Sequence, residues 1–567
     1  MGPAGGTPAI QPTKMKQTTA DALLAGLIAA GVSRVYGLIG SSTTPFYRAL
    51  AGARGRIRYV SVRSELVAAA MADADGRLTG RPGILLLHAG AGVLNAALGL
   101  ATAAKDCSPL VAIVGGVKRS LASQGGMLDI DQAAVLSPLV KGFFQVERAA
   151  DTPRTFLEAW RAAATAPSGP VVLQVAEDLW DQAEEAEQFA ESGFALPAVA
   201  APGGMDALVE LLRAAERPLL VAGGGVQHAA GRLLQLVEAA RLPAVTTGNG
   251  RGAIPEDHLL CFGRAGYGGG NGAADYGLAT ADFLLCLGCG LSDMLTYDYR
   301  RLPAGRLAFV NADGAYLQVM KQRFPEASIH QGDAGAAIEQ LLAAGLKGLC
   351  RANWWNRLEV ARSEWQRVVD QCAFPGKPLS ATYTLRRLAA VLPRAAIVTC
   401  GTGLHLLPVN AALPCYGPRQ YLSACNFGAM GFAFGAAMAA RLIYPERQVV
   451  CAIGDGDFLM TAADLETAAR ENLMPLTIVL NDSGYGVLRT LSGLRGFRYG
   501  SDHGNPDFPA LAAAYGLRGA RATDPGEVDT VFRKAFEPEG PRLVEIVVDP
   551  REQPPANWPA ILGMKVR

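Results

Sequence analysis

The chain has 567 residues, half of them apolar, with 52 basic against 51 acidic side chains. That is too much chain for one ordinary core and predicts three or four domains. The near-zero charge balance excludes a basic excess for nucleic acid and a polybasic membrane anchor.

No run reaches the roughly eighteen apolar residues of a spanning helix. The Gly/Pro-rich start, Met1 to Thr13, lacks the apolar core of a signal peptide. The sequence therefore predicts a soluble, cytoplasmic protein. Its ten cysteines are scattered, often within apolar runs, and read as free thiols in a reducing compartment. Cys286 and Cys289 form a C-x-x-C with no second pair nearby, so neither a metal nor a redox centre is expected there.

From Lys16 onward, helical and strand patterns alternate, as in α/β units with parallel sheets. An amphipathic helix over Ala20 to Ala30 leads to a strand over Arg34 to Ile39. That strand ends in Gly40-Ser41-Ser42-Thr43-Thr44-Pro45, a turn whose small hydroxyl side chains suit a ligand. The strand Tyr59 to Val62 runs into Arg63-Ser64-Glu65, and a helix follows from Leu66 to Thr79. Glu65 thus opens a helix at a sheet's carboxyl edge, where helix electrostatics alone also favour an acid. The strand Ile84 to Leu87 meets His88 and the Gly-rich turn Ala89 to Gly92; Asn95 follows on a helix, then a strand over Ser108 to Gly116. His88 reads either as a satisfied structural group or as a proton donor or acceptor near a carbonyl.

Residues 184–204, acidic and then Pro/Gly-rich, read as a linker. A second unit begins at Met205, with the strand Pro218 to Ala222, the turn Gly223-Gly224-Gly225, and strands over Ala281 to Gly290 and Arg306 to Asn311. A helical link, Trp354 to Cys372, precedes a third unit, whose strand Ala396 to Thr399 ends in Cys400-Gly401-Thr402-Gly403. Phe427-Gly428-Ala429-Met430-Gly431 then opens an Ala/Gly-rich helix.

The third unit carries the densest chemistry. An apolar strand over Gln448 to Ile453 ends in Gly454-Asp455-Gly456-Asp457. A helix-period segment from Ala462 to Asn472 follows, and a second buried strand, Leu476 to Leu480, ends in Asn481-Asp482-Ser483-Gly484. One strand-helix-strand crossover thus sets Asp455 and Asp482 at neighbouring strand ends, where open α/β sheets bind ligands. The glycines flanking Asp455 admit close approach of backbone N–H groups to a phosphate. Two hard oxygen ligands with a diphosphate suit Mg²⁺.

This pattern resembles the thiamine diphosphate motif, and the whole chain is similar to that superfamily, in its acetolactate synthase-like and benzoylformate decarboxylase-like groups. The resemblance implies three doubly wound α/β domains: pyrimidine-binding over residues 16–183, middle over 205–345 and diphosphate-binding over 379–550. Residues 1–15 are then a flexible start, 184–204 and 346–378 linkers, and 551–567 a tail bearing Trp558. It implies that Asp455, Asp482 and the carbonyl of Gly484 hold Mg²⁺. Gly454, Gly456, Asp457, Tyr485 and Gly486 fall on the cofactor side of that motif. Gly428 and Met430 lie against the aminopyrimidine, with Met430 as a pliant wedge.

Glu65 matches the catalytic glutamate that hydrogen-bonds aminopyrimidine N1′ and thereby activates thiazolium C2. The stretch Ala72-Asp73-Ala74-Asp75-Gly76-Arg77-Leu78-Thr79-Gly80 continues the match. Ser41 and His88 match the turn serine and active-site histidine of benzoylformate decarboxylase. The chain departs from the family at Asp482, where Asn is usual, at Ser64 in place of a His, and at Cys400 in place of an Asp. Leu128-Asp129 stands where acetolactate synthases carry Gln-Glu. Gly290 and Met294 replace arginines that contact flavin, which favours a middle domain without FAD. Arg489, Arg495 and Arg498 lie in a Gly-rich stretch that reads either as a solvated loop or as a grip for an anionic substrate.

The implied reaction is carboligation or lysis of a 2-oxo acid or 2-hydroxycarbonyl compound through an enamine. The alternatives are a non-oxidative 2-oxo acid decarboxylase and, from another class, a silent cofactor-binding subunit. The resemblance further implies a homodimer or homotetramer with active sites at subunit interfaces.

Overall fold

Strands hydrophobic at nearly every position must be covered on both faces, as in parallel sheets flanked by helices. The chain follows this rule three times. The computed structural model describes residues 14–196, 198–302 and 305–556. It divides into two compact units, up to residue 197 and from residue 198. Each of the three expected domains has a six-stranded parallel sheet.

In the first unit the sheet order is Arg58–Ser61, Arg34–Gly37, Gly83–Leu87, Leu110–Gly116, Pro170–Ala176, Gly142–Val146. All of Gly83–Leu87 and Leu110–Gly116 is buried. One core on this sheet is built around Phe46, Phe156, Trp160 and Trp180. A separate antiparallel ribbon pairs Lys14–Thr18 with Ala183–Glu187. This corrects the reading of residues 1–15 as wholly flexible and of 184–204 as linker from its first residue. The acidic run is a strand because its charges are answered across the ribbon, with Lys14 opposite Glu187 and Lys16 opposite Glu185. Residues 1–13 and Trp558 lie outside the described residues.

The second unit holds two sheets. The first runs Cys261–Arg264, Ala244–Thr246, Pro218–Ala222, Phe283–Leu287, Arg306–Asn311, Ser328–Gln331. The long helix Ala352–Cys372 buries Trp354, Leu358, Ala361, Trp365 and Val369, one apolar stripe at helical spacing. The other sheet runs Tyr421–Ser423, Ile397–Cys400, Val449–Gly454, Leu476–Asn481, Leu543–Val547, Gly519–Ala522. The tail's described start serves this domain's fold. Glu552 accepts hydrogen bonds from Ala381 N (2.7 Å) and Ser380 Oγ (2.9 Å), capping the helix Ala381–Ala389 from a distance in sequence. The segment expected as one helix over 462–472 is broken into a 3₁₀ turn, Ala462–Asp464, and a short helix, Leu465–Arg470.

Candidate active site

In the last sheet the chain leaves Ile397–Cys400 for the edge strand Tyr421–Ser423, then returns to Val449–Gly454 on the other side. The loops after Cys400 and Gly454 therefore diverge, the switch point at which open sheets bind ligands. Asp455, 1% exposed, opens the short helix Asp455–Leu459 at that edge. Its Oδ2 accepts from Gly484 N (3.2 Å) and Asn505 Nδ2 (2.7 Å). Asn505 Nδ2 also reaches Asn481 Oδ1 (2.8 Å), tying both motif loops together. Asp482, at the end of the next strand, is held by Arg489 through its Oδ2. Burial, the nearby Asp455 charge and the opposing Arg489 leave the Asp482 carboxyl pushed up to about 6. Both aspartates are thus gripped through Oδ2, and their Oδ1 atoms take no hydrogen bond among the described residues.

A strap over residues 501–505 closes around this loop. Tyr485 N donates to Ser501 O (2.8 Å), Gly484 and Asp502 form an antiparallel bridge, and the Tyr485 and His503 rings meet edge to face at 5.0 Å. Gly456 sits beneath them. A Cβ there would lie 2.8 Å from the Tyr485 ring and 3.0 Å from His503 Nε2, so no larger residue fits undisturbed. Arg489 Nε, Ser501 Oγ, His503 Nε2 and Asn505 Oδ1 are all buried without a hydrogen-bond partner. Such a cluster is costly unless ordered water or a polar ligand completes it.

Asp457 is placed differently from the motif reading. Its Oδ2 accepts from Thr402 N (2.7 Å) and its Oδ1 from Gly431 N (2.5 Å). The carboxylate is spent stapling the loops of Gly401, Gly428 and Asp455 to one another. Burial pushes it up to about 6 against those two donors. Met430 is half-buried and Gly428 exposed with φ 69°, in the turn that this staple fixes. Tyr485 is 38% exposed and precedes the helix Gly486–Gly493, which Gly486 opens.

His405 was missed by the sequence reading. It lies just past Gly403, so close to Gly454 that a Cβ on that glycine would approach its Nδ1 to 2.6 Å. Its Nε2 is sealed from solvent and faces Gly401, where a Cβ would lie 2.8 Å from it. Burial lowers its pKa to about 4, opposed by a backbone hydrogen bond at Gly401. The native imidazole therefore stays neutral where the unfolded one, near 6.5, takes a proton. Between those values the unfolded state binds more protons, so stability falls as pH drops, by at most about 1.4 kcal/mol per unit for this group. His405→Gln is expected to flatten the pH dependence of melting between about pH 6.5 and 4 in the cofactor-free protein; an unchanged slope rules this out.

In the first unit, Glu65 (5% exposed) opens the helix Glu65–Thr79. Its recorded side-chain hydrogen bond is from Asn95 Nδ2 to Oε2, at 3.1 Å. A Cβ on Gly92 would lie 3.1 Å from its Oε1. The acids that follow Glu65 are structural: Asp73 pairs with Arg77 (2.6 Å), and Asp75 with Arg34 (2.9 Å) and Tyr36 (2.8 Å). His88 follows the central strand and is half-buried. Its Nδ1 lies 2.8 Å from Ser42 Oγ, which also accepts from Ala89 N at 3.0 Å. The serine beside His88 is thus Ser42; Ser41 is exposed and makes no side-chain hydrogen bond among the described residues. In Ser41-Ser42 the hydroxyl is repeated, and sequence alone does not say which one turns inward.

Two carboxylates and a Gly-lined strand end at a switch point of the second unit, and a buried glutamate opening a helix in the first, suit an α/β enzyme that binds an anionic cofactor. The comparisons with known proteins agree. Residues 17–135 match the N-terminal TPP binding domain of thiamine pyrophosphate enzymes, 205–341 their central domain, and 401–546 their C-terminal TPP binding domain. The chain is 30% identical to a probable acetolactate synthase large subunit of Methanocaldococcus jannaschii, over 94% of this chain and 93% of that protein. It is 28% identical to the acetolactate synthase isozyme 1 large subunit of Escherichia coli K12, over 95% of this chain and 96% of that protein. The chain belongs to the thiamine pyrophosphate enzyme family, in its acetolactate synthase-like group. It is an enzyme of the class that makes and breaks carbon–carbon bonds with thiamine diphosphate.

Proposed function

We propose that the chain joins a 2-oxo acid, after loss of CO₂, to a second carbonyl compound, using thiamine diphosphate and Mg²⁺. The observation that carries this reading is the pair Asp455 and Asp482, each held by Oδ2 with Oδ1 left without a hydrogen bond. Among the described residues no three His, Cys, Asp or Glu side chains form a metal cage. Mg²⁺ suits such a place, because it takes few protein oxygens and completes its shell with water and phosphate. The Gly484 carbonyl is the third protein ligand of this proposal. The unpartnered Nε2 of His503 would supply a neighbouring donor for a diphosphate.

Bound there, the cofactor supplies a carbon nucleophile toward the substrate carbonyl. Glu65, held at Oε2 by Asn95, would exchange a proton with aminopyrimidine N1′ of a cofactor shared across a subunit interface. Gly428 and Met430 position the aminopyrimidine edge. His88, steadied by Ser42, handles the proton at the substrate oxygen. Carboligation is preferred to simple decarboxylation because the full-length relatives are acetolactate synthases.

The middle domain is read as lacking FAD. A Cβ on Gly223 would lie 2.1 Å from the Gly288 carbonyl oxygen, and one on Gly225 2.8 Å from the Gly288 Cα. These glycines serve the close packing of two loops across that domain's own switch point. Assembly into a homodimer or homotetramer, with active sites at subunit interfaces, is supported by the exposed Leu94, Met127, Phe497 and Tyr499.

The test is reconstitution with Mg²⁺ and thiamine diphosphate, incubation with pyruvate alone and with a second 2-oxo acid, and product identification by mass. A coupled 2-hydroxy-3-oxo acid and CO₂, without flavin absorbance in the protein, are the expected result. Free aldehyde as the sole product rejects the ligase, and stoichiometric flavin rejects the middle-domain reading.

A further inference from the structure

Asp455 and Asp482 bring two negative charges to the place where a diphosphate is to bind, and one divalent cation must serve all of them. Arg489 offers the missing countercharge. It lies on the helix Gly486–Gly493 and is 8% exposed. Its Nη2 donates to both Oδ2 and the backbone oxygen of Asp482, the latter at 3.1 Å. Its Nη1 reaches Asp502 Oδ1 at 3.2 Å. Asp502 is also taken up by Arg498, at 2.7 Å and 2.6 Å, and its side chain is 48% exposed against 13% for Asp482. Asp502 is therefore answered by Arg498 and by solvent. In the buried part of the site, the charge of Arg489 is matched chiefly to Asp482.

We propose that Arg489 is a positioning residue that cancels the charge of Asp482 and fixes its carboxylate through Oδ2, leaving Oδ1 for the divalent cation. The loop then contributes a metal ligand without adding net repulsion toward the diphosphate. This inference rests on the cofactor reading above. Its consequence has opposite signs for two ligands. Without Arg489, a bare divalent cation meets a more negative site and binds more tightly, whereas the diphosphate is repelled and binds more weakly. A loop that merely lost its structure would weaken both.

The experiment uses the full chain as wild type, Arg489→Met, Asp482→Asn and the double variant. Mn²⁺ alone is titrated by the paramagnetic signal of the free ion, and thiamine diphosphate at saturating Mg²⁺ by calorimetry. Arg489→Met is expected to bind Mn²⁺ at least about threefold more tightly and thiamine diphosphate at least about tenfold more weakly. The double variant is expected to return to within about threefold of Asp482→Asn for thiamine diphosphate, the non-additivity of a contacting pair. Arg489→Lys keeps the charge without the planar fork and is expected to stay nearer wild type than Arg489→Met for both ligands. Weakening of both ligands in Arg489→Met, an additive double variant, or a Lys variant as impaired as Met overturns the proposal. A wild-type chain that takes up no thiamine diphosphate overturns the functional reading itself, a result distinct from uptake without coupling.

Discussion

Glu65→Gln is expected to lower turnover about 10²- to 10⁴-fold, the range that a positioned proton-transfer group supplies, while leaving thiamine diphosphate affinity within a few-fold of wild type. The substitution is nearly isosteric, and its amide oxygen still accepts the Asn95 hydrogen bond. Glu65 is 5% exposed, so the replacement is enclosed in the same space. On the proposed mechanism, what changes is the ability to give and take a proton at aminopyrimidine N1′. The split between rate and binding is the informative part. Calorimetry measures cofactor uptake, and proton exchange at the cofactor's reactive carbon, followed by magnetic resonance, measures activation without any substrate. Both turnover and exchange are expected to fall together. A Gln variant within tenfold of wild type in both removes Glu65 from the mechanism. Loss of cofactor binding alone makes it a binding residue instead.

The placement of the candidate site residues was legible in sequence wherever it is set locally. Asp455 follows a fully buried strand directly, and Asp482 follows the last residue of the next one, so two apolar runs and two short polar clusters suffice to place both. Glu65 was legible for the same reason. Asn505 and His405 were not, because each lies in an irregular loop and meets its partners through packing that no period encodes. In sequence Asp457 looks like part of the Asp455 cluster; the structure shows both its carboxylate oxygens taking hydrogen bonds, from Thr402 N and Gly431 N. The ribbon of Lys14–Thr18 with Ala183–Glu187 was missed because its charge pairing spans most of the first unit. Locally, an acidic run followed by prolines has the composition of a linker.

Arg251 is the position outside the candidate site where one substitution is expected to cost most. It is 1% exposed, and its Nε and Nη2 both reach Glu256 at 2.7 Å. Nη1 donates to Asn410 Oδ1 (2.6 Å), Nη2 to Leu413 O (2.8 Å), and the guanidinium lies 4.4 Å from the centre of the Tyr421 ring. The residue thus ties the middle domain to the end of the helix Leu406–Ala412, which begins immediately after His405. Arg251→Met removes the cation and leaves Glu256 largely enclosed, its side chain 11% exposed. Breaking a buried pair from one side costs about 3–5 kcal/mol, which lowers the melting midpoint by on the order of ten degrees. Arg251→Met/Glu256→Gln removes the stranded charge and is expected to recover part of that loss, because a buried neutral amide is far cheaper than a buried carboxylate. Differential scanning calorimetry of the three proteins, with and without thiamine diphosphate and Mg²⁺, checks both statements. An Arg251→Met protein that melts with the wild type means that desolvation of the guanidinium had already offset its bonds. Loss of cofactor affinity at unchanged melting instead traces a connection from this buried cation, through the helix that starts beside His405, to the proposed diphosphate site.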